Sequence, residues 1–374
     1  MKTFLYYCSL IASLCLQGMP DHCHALPSEA LVPAGPAVQT GVGPYSVKYS
    51  NSGKFAAVVN DSDDTVSVYR VHSRTGAFEP IQTIASGNAP NFVVYSPEDK
   101  FAYLTNFGSF GPGGSIIVYS IDPKTGIWSN IQTINDGSVS SPYGFDISPC
   151  GKFLAVANFG TGNPGSGSIA IYQISGHTGM LKFIAITPHQ SPEILAFSPD
   201  GQYLAVTNFE GASVSVFKMN SIGYIQEIED SPFPVGLNPE GVAYKHNGKA
   251  VAIANTSDGT VTFYRVNSET GQFYDMQTYA TGDSAPAELA FSNDDTLLAV
   301  GSFNNPGTAT VFCVKGRDKT LIQSIPNLQG PYTFAFNPSN KNFAALSIFG
   351  NGTDPGSVQV YKVNNSACSH SSSD

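Results

Sequence analysis

Seven short segments, each opening on a proline, carry the side chains of this chain that are best placed for chemistry. After Pro44, Pro90, Pro142, Pro192, Pro239, Pro286 and Pro331 come Tyr45, Asn91, Tyr143, Glu193, Glu240, Ala287 with Glu288, and Tyr332. Tyr, Asn and Glu at equivalent points of a repeat make a ring that can bind a polyol or sugar by stacking and hydrogen bonding. Three charges, Lys48, Asp146 and Glu288, interrupt an otherwise small-residue face in the same segments. A charge close to an axis needs water, a partner or a ligand, and Lys48 is the one cation among them. Of seven histidines, His189 falls at the same end of the repeat, three residues before Pro192. An imidazole beside a carboxylate can act as general base on an attacking water, so His189, Glu193 and Glu240 are the catalytic candidates. No metal site is expected: the chain has no CxxC pair or His-rich cluster, and Asp61-Ser62-Asp63-Asp64 lacks the glycine turn and closing glutamate of an EF-hand. No cofactor is expected either.

These residues must be positioned by strands. The opening prolines recur at spacings of 45 to 52 residues, and no helical periodicity lies between them. Each is followed by apolar residues with period two, such as Val47/Tyr49, Val93/Tyr95 and Phe334/Phe336, opposite small residues such as Gly144, Gly241 and Ala335. A turn follows, plainest as Ser198-Pro199-Asp200-Gly201. Second strands read FAAVVN, FAYLTN, FLAVAN and YLAVTN, and third strands TVSVYRV or SIAIYQI. Fourth strands repeat a triplet, Ile81-Gln82-Thr83 and Ile131-Gln132-Thr133 among them. The seventh unit has no fourth strand after Val363, while Val38-Gln39-Thr40 precedes the first unit. The expected fold is an all-β, seven-bladed propeller of four-stranded antiparallel blades, closed by an N-terminal strand that completes the last blade and removes the open edge.

Residues 1–25 read as a signal peptide, with Lys2, an apolar run from Phe4 to Leu16 and a small-residue cleavage site, so the protein is expected to be exported, periplasmic or extracellular. Residues 26–364 form one domain and 365–374 a polar tail. No later stretch reaches the roughly 20 apolar residues of a membrane span. Three cysteines remain after the leader, Cys150, Cys313 and Cys368, which allows at most one disulfide. A net charge of −10 argues against nucleic acid as partner, and a monomer is expected. Following strand direction, Arg265, Lys249, Arg317 and Lys319 fall on the lower side with the SPDG turns, and Asp63, Asp64, Glu210, Asp258 and Asp283 on the upper side with the prolines.

The strand end Tyr103-Leu104-Thr105-Asn106, its variants Ala205-Val206-Thr207-Asn208 and Ala155-Val156-Ala157-Asn158, and the SPDG turn resemble the YVTN-type, lactonase-like seven-bladed propeller family over nearly the whole mature chain. That family mixes sugar-lactone hydrolases, muconate-lactonising relatives and binding proteins. Its enzymes tend to place Arg and His just after the strand-opening positions, and neither residue occurs at the two positions after any of the seven opening prolines here. The sequence therefore favours an exported binding protein, whose acidic, Gly- and Phe-rich upper loops hold a small neutral ligand or a protein partner. Asn106, Phe107, Asn158, Phe159, Asn208 and Phe209 would join the tyrosine ring in that surface, with the phenylalanines exposed. A lactone hydrolase is the alternative, and a structural envelope component a second one.

Overall fold

The repeated apolar alternation becomes seven antiparallel sheets. The computed structural model describes residues 29–108, 113–163 and 165–369, so the leader read in residues 1–25 lies outside the described residues. Blade 1 comprises Pro44–Tyr49, Phe55–Asn60, Thr65–Val71 and Phe78–Ala85 from axis to rim, and the later blades repeat this order. Every residue of Phe55–Asn60 is buried, as is every residue of Phe153–Asn158 and Tyr203–Asn208. These second strands lie between the faces of neighbouring blades, which is why they read as continuous apolar runs. Each large side chain buried there contributes about 1.5–3 kcal/mol.

Blade 4 departs from the pattern, its outer strand being split into Ile225–Glu227 and Phe233–Pro234, both paired with Ser213–Met219. Blade 7 takes its outer edge from the front of the chain, in two pieces. Val38–Val42 pairs with Pro355–Val363 through Val38 opposite Val358, and Leu31–Pro33 pairs with the same strand through Leu31 opposite Val363. The glutamine of the fourth-strand triplet explains why closure works. The side-chain amide of Gln82 donates to the Trp128 carbonyl and its oxygen accepts from the Trp128 N–H, so the side chain mimics a strand and ties blade 1 to blade 2. Gln132 does the same to Leu181. Gln323 does it to Leu31, which makes the N-terminal strand the structural equivalent of an ordinary fourth strand.

A second repeated device sets the upper rim. The residue before each opening proline has a left-handed backbone, with φ between 42° at Ser191 and 83° at Ala285. Its carbonyl accepts the N–H of the residue after the second strand, as in Phe107 to Ala89, Phe159 to Ser141 and Phe303 to Ala285. Five of the seven are not glycine, and for an alanine or serine this conformation costs about 1 kcal/mol, offset by the bond it makes. The disulfide joins Cys313 to Cys368, pinning the chain end beside blade 6, and Cys150 is free and exposed.

Candidate functional site

On the inner strands, the second and fourth residues after each proline face the axis. The fourth-residue layer is Lys48, Val94, Asp146, Ala196, Ala243, Ala290 and Ala335, so one cation and one acid stand in a wall of small apolar groups. Small residues are required where the strands converge: a methyl at Gly144 would lie 2.6 Å from the Glu193 carbonyl oxygen. Below the layer of first residues the axis opens into a cavity of about 630 Å³ that contains Lys48, Asp146 and Glu288 and reaches the lower turns at Asn51, Pro149, Pro199, His246, Asn293 and Pro338.

Above this cavity the first residues close the ring. The Tyr45 hydroxyl is hydrogen-bonded to that of Tyr143 and lies 2.6 Å from that of Tyr332; Tyr143 and Tyr332 are 3.2 Å apart. Tyr332 donates to Glu240, whose other carboxyl oxygen accepts from Thr256 at 3.2 Å. Phe92, Phe303 and Phe349 pack edge-on against Tyr45, and Phe107 against Tyr143. The phenols come from blades 1, 3 and 7 and the carboxyls Glu193, Glu240 and Glu288 from blades 4, 5 and 6, so the two chemistries meet across the axis.

Burial governs the charge state of these acids. Glu193 and Glu240 are each 6% exposed. One oxygen of Glu193 and one of Glu288 are buried without a hydrogen-bond partner. Burial raises all three carboxyls; for Glu193, Glu240 and then Glu288 add to the shift. Glu288 is pushed up to about 8, first by burial and then by Glu240, with Lys48 pulling the other way. Asp146 is also raised by burial, opposed by the Phe197 N–H it accepts at 2.9 Å and by Lys48. Burial lifts Tyr45, Tyr143 and Tyr332 well above the usual phenol value, so they act as neutral donors and acceptors.

Because the folded state raises Glu288 from 4.5 to about 8, the stability associated with its protonated form is complete below about pH 4.5 and is lost as pH rises through 8. Glu193 and Glu240 add in the same sense. The melting temperature should therefore fall by about 5 °C between about pH 5 and pH 8.5, measured by scanning calorimetry. A flat or rising profile would mean that the three acids are not held neutral.

The other sequence candidates sit elsewhere. His189 lies toward the outer part of blade 4, its ring nitrogen 2.6 Å from Asn208 and its ring packed T-shaped against Phe217; burial lowers its pKa, and Glu227 is the carboxylate it senses. The structure brings Glu193 and Glu240 together without it. Asn91 is used internally, donating to the Pro142 carbonyl and accepting from Thr105. The strand-end asparagines staple each upper loop to the third strand. Asn106 accepts from Gly87 N–H and donates to Ser115, Asn158 accepts from Ser140 N–H and donates to Ser168, and Asn208 donates to Ser213 and Ser215.

The upper surface differs from its expected form. Phe107, Phe159 and Phe209 are half-buried, Phe159 packing against Phe209 at 6.3 Å. Upper carboxylates hold loop backbone: Asp64 accepts from Ala89 N–H at 2.8 Å and Asp258 from Leu237 N–H at 2.7 Å, while Glu210 takes the Ser191 hydroxyl. Lys48, Asp146 and Glu288, singled out in the sequence as charges near the axis, line one cavity; what the sequence did not show is that this cavity lies below the tyrosine ring and reaches the lower turns.

A family model described as "Lactonase, 7-bladed beta-propeller" matches residues 27–163, 159–236 and 238–338. A protein named 6-phosphogluconolactonase from Enterobacter sp. (strain 638) is 27% identical over 179 residues, 45% of this chain and 49% of that protein. One of the same name from Photorhabdus laumondii is 26% identical over 218 residues, 58% of this chain and 61% of its own length. The chain thus spans about half to three fifths of these relatives. Among solved structures, a protein from Bacteroides uniformis superposes with a TM-score of 0.70 at 18% identity, covering 88% of this chain and 92% of that one. The Pseudomonas aeruginosa periplasmic gluconolactonase PpgL superposes with a TM-score of 0.66 at 19% identity, covering 88% and 97%. At such identity these two likenesses concern the fold. Together with the relatives' names, the committed upper carboxylates and packed phenylalanines correct the expectation of a binding or interaction protein working through its upper loops. Among the described residues no helix is long and apolar enough to cross a membrane.

Proposed function

Because this chain belongs to the seven-bladed β-propeller lactonase family, we propose that it hydrolyses a sugar lactone, with the reaction taking place in the axial cavity. The observation that carries this reading is the set of charged groups in that cavity, Lys48 with Glu288 and Asp146, in walls that are largely small or apolar above the polar groups of the lower turns, Asn51, His246 and Asn293. Ester hydrolysis needs a base for water, a positive group for the oxyanion, and a proton for the leaving oxygen. Glu288, with a pKa of about 8, is suited to exchange that proton in both directions. Its carboxylate takes a proton from water as the oxygen adds to the lactone carbonyl. Lys48 faces the negative charge that develops, the ring C–O bond breaks, and Glu288 returns the proton to the departing alkoxide. The new carboxylic acid then ionises to the bulk. Asp146, held by the Phe197 and Ile147 N–H groups, fixes the acidic side of the Lys48 environment.

A single lysine beside two acids favours a neutral lactone over a phosphorylated one. Export, inferred from residues 1–25, would place the reaction outside the cytoplasm. The test is turnover of an aldonolactone and of its phosphorylated counterpart, followed by proton release. The neutral compound should be hydrolysed with the higher kcat/KM, by about tenfold. No turnover of any lactone would end the proposal, and a preference for the phosphorylated one would end its substrate assignment.

A further inference from the structure

On the lower rim between blades 5 and 6 lies a groove of about 250 Å³ that no part of the proposed hydrolysis uses. It shares no lining residue with the axial cavity. Five cations line it, Lys245, Lys249, Arg265, Arg317 and Lys319, against one lining carboxylate, Asp275, which takes Arg317 at 3.2 Å. In a chain of net charge −10, such a concentration in one concavity is not the solubilising background.

The groove is built rather than incidental. Lys245 Nζ donates to the Val314 carbonyl at 2.8 Å and sits over the Phe291 ring. Lys319 Nζ donates to the carbonyls of Gly316 and Arg317 at 2.8 and 2.6 Å and sits over Phe263. Arg265 lies over Tyr274. Backbone carbonyls and aromatic faces thus hold the positive groups in place before any ligand arrives, which lowers the ordering cost of binding. Burial pushes Lys319 down to about 8, with Lys245 adding to the shift and Asp318 and Asp275 opposing it. The positive groups are under-neutralised, and an anion between them would relieve that repulsion.

We infer that this groove binds a phosphomonoester carried on a small polar molecule. Two arginines offer planar donors and three lysines point charges, the combination that suits a tetrahedral dianion. The volume exceeds what a bare phosphate fills, and the side-chain amides of Asn247 and Gln277 are at hand for hydroxyl groups on the rest of the ligand.

Titration calorimetry of the full chain with glucose 6-phosphate, inorganic phosphate and glucose tests this. Glucose 6-phosphate should bind saturably and about tenfold more tightly than inorganic phosphate, and glucose not at all. Arg317→Ala and Lys319→Met should each weaken binding about tenfold and together about a hundredfold, while Arg74→Ala changes it less than about twofold. Near pH 8, binding should take up protons, seen as heats that vary with buffer ionisation enthalpy and vanish in Lys319→Met. Equal affinity for the bare ion would overturn the ester assignment. Absence of binding, or binding unchanged in the double variant or lost instead in Lys48→Met, would overturn the site.

Discussion

Replacing Glu288 by Gln should lower kcat for lactone hydrolysis by about 10²- to 10⁴-fold, the range expected for loss of a general base. The variant is informative because glutamine has the shape of the protonated acid that the fold already favours, so it should fold at least as well as the parent above about pH 7. In the parent, kcat/KM should rise with pH and level off above about 8, the pKa set by burial, Glu240 and Lys48. In Glu288→Gln that inflection should disappear. Lys48→Met should cost about 10²- to 10³-fold in kcat with less change in KM, because the ammonium acts on charge that exists only in the transition state. A Glu288→Gln variant with parental kcat and an unchanged pH profile would remove the axial cavity as the site of reaction. The dependence of stability on pH should become shallower in the same variant but not vanish, since Glu193 and Glu240 remain raised.

A chain that begins at Gly43 should lose cooperative unfolding and self-associate. It lacks both Leu31–Pro33 and Val38–Val42, so Pro355–Val363 would present its outer backbone to solvent as an open edge. Leu31, which is 0% exposed, would leave blade 7 and blade 6 unfilled, and Gln323 would lose both of its partners. The point variant Gln323→Ala separates the staple from the strand, and should cost about 1–3 kcal/mol in chemical denaturation while leaving the protein monomeric. Light scattering and denaturation of the two forms check this. A truncated chain that stays monomeric with the parental melting temperature would show that the ring does not depend on its N-terminal strand.

The proline period, the alternation after each proline and the triplet displaced to the front of the chain were enough to specify seven blades and their closure. These are local signals, repeated seven times, and each copy reinforces the others. Within a blade period two set the face of Lys48, Asp146 and Glu288, while Tyr45, Tyr143, Tyr332, Glu193 and Glu240 were placed at the mouth of the channel because each directly follows an opening proline. Their roles were not legible, because a phenol on blade 7 meets a carboxyl on blade 5 only through the convergence of the whole ring.

The same limit explains the asparagines and phenylalanines of the upper rim. In the sequence, Asn106 or Phe107 at a strand end looks like exposed loop chemistry; in the fold, the neighbouring third strand and the rings above Tyr45 and Tyr143 take them up. His189 stood close to Glu193 along the chain, yet one turn of the loop sends it toward the rim while Glu193 goes to the axis. By itself the sequence determined the number of blades, the strand that completes the ring and the side chains that face the axis, because period and alternation act within a few residues. Only the tertiary structure decided that the axis is closed above by three phenols and open below at Lys48, Asp146 and Glu288, because that depends on how seven separate strands tilt and pack against one another.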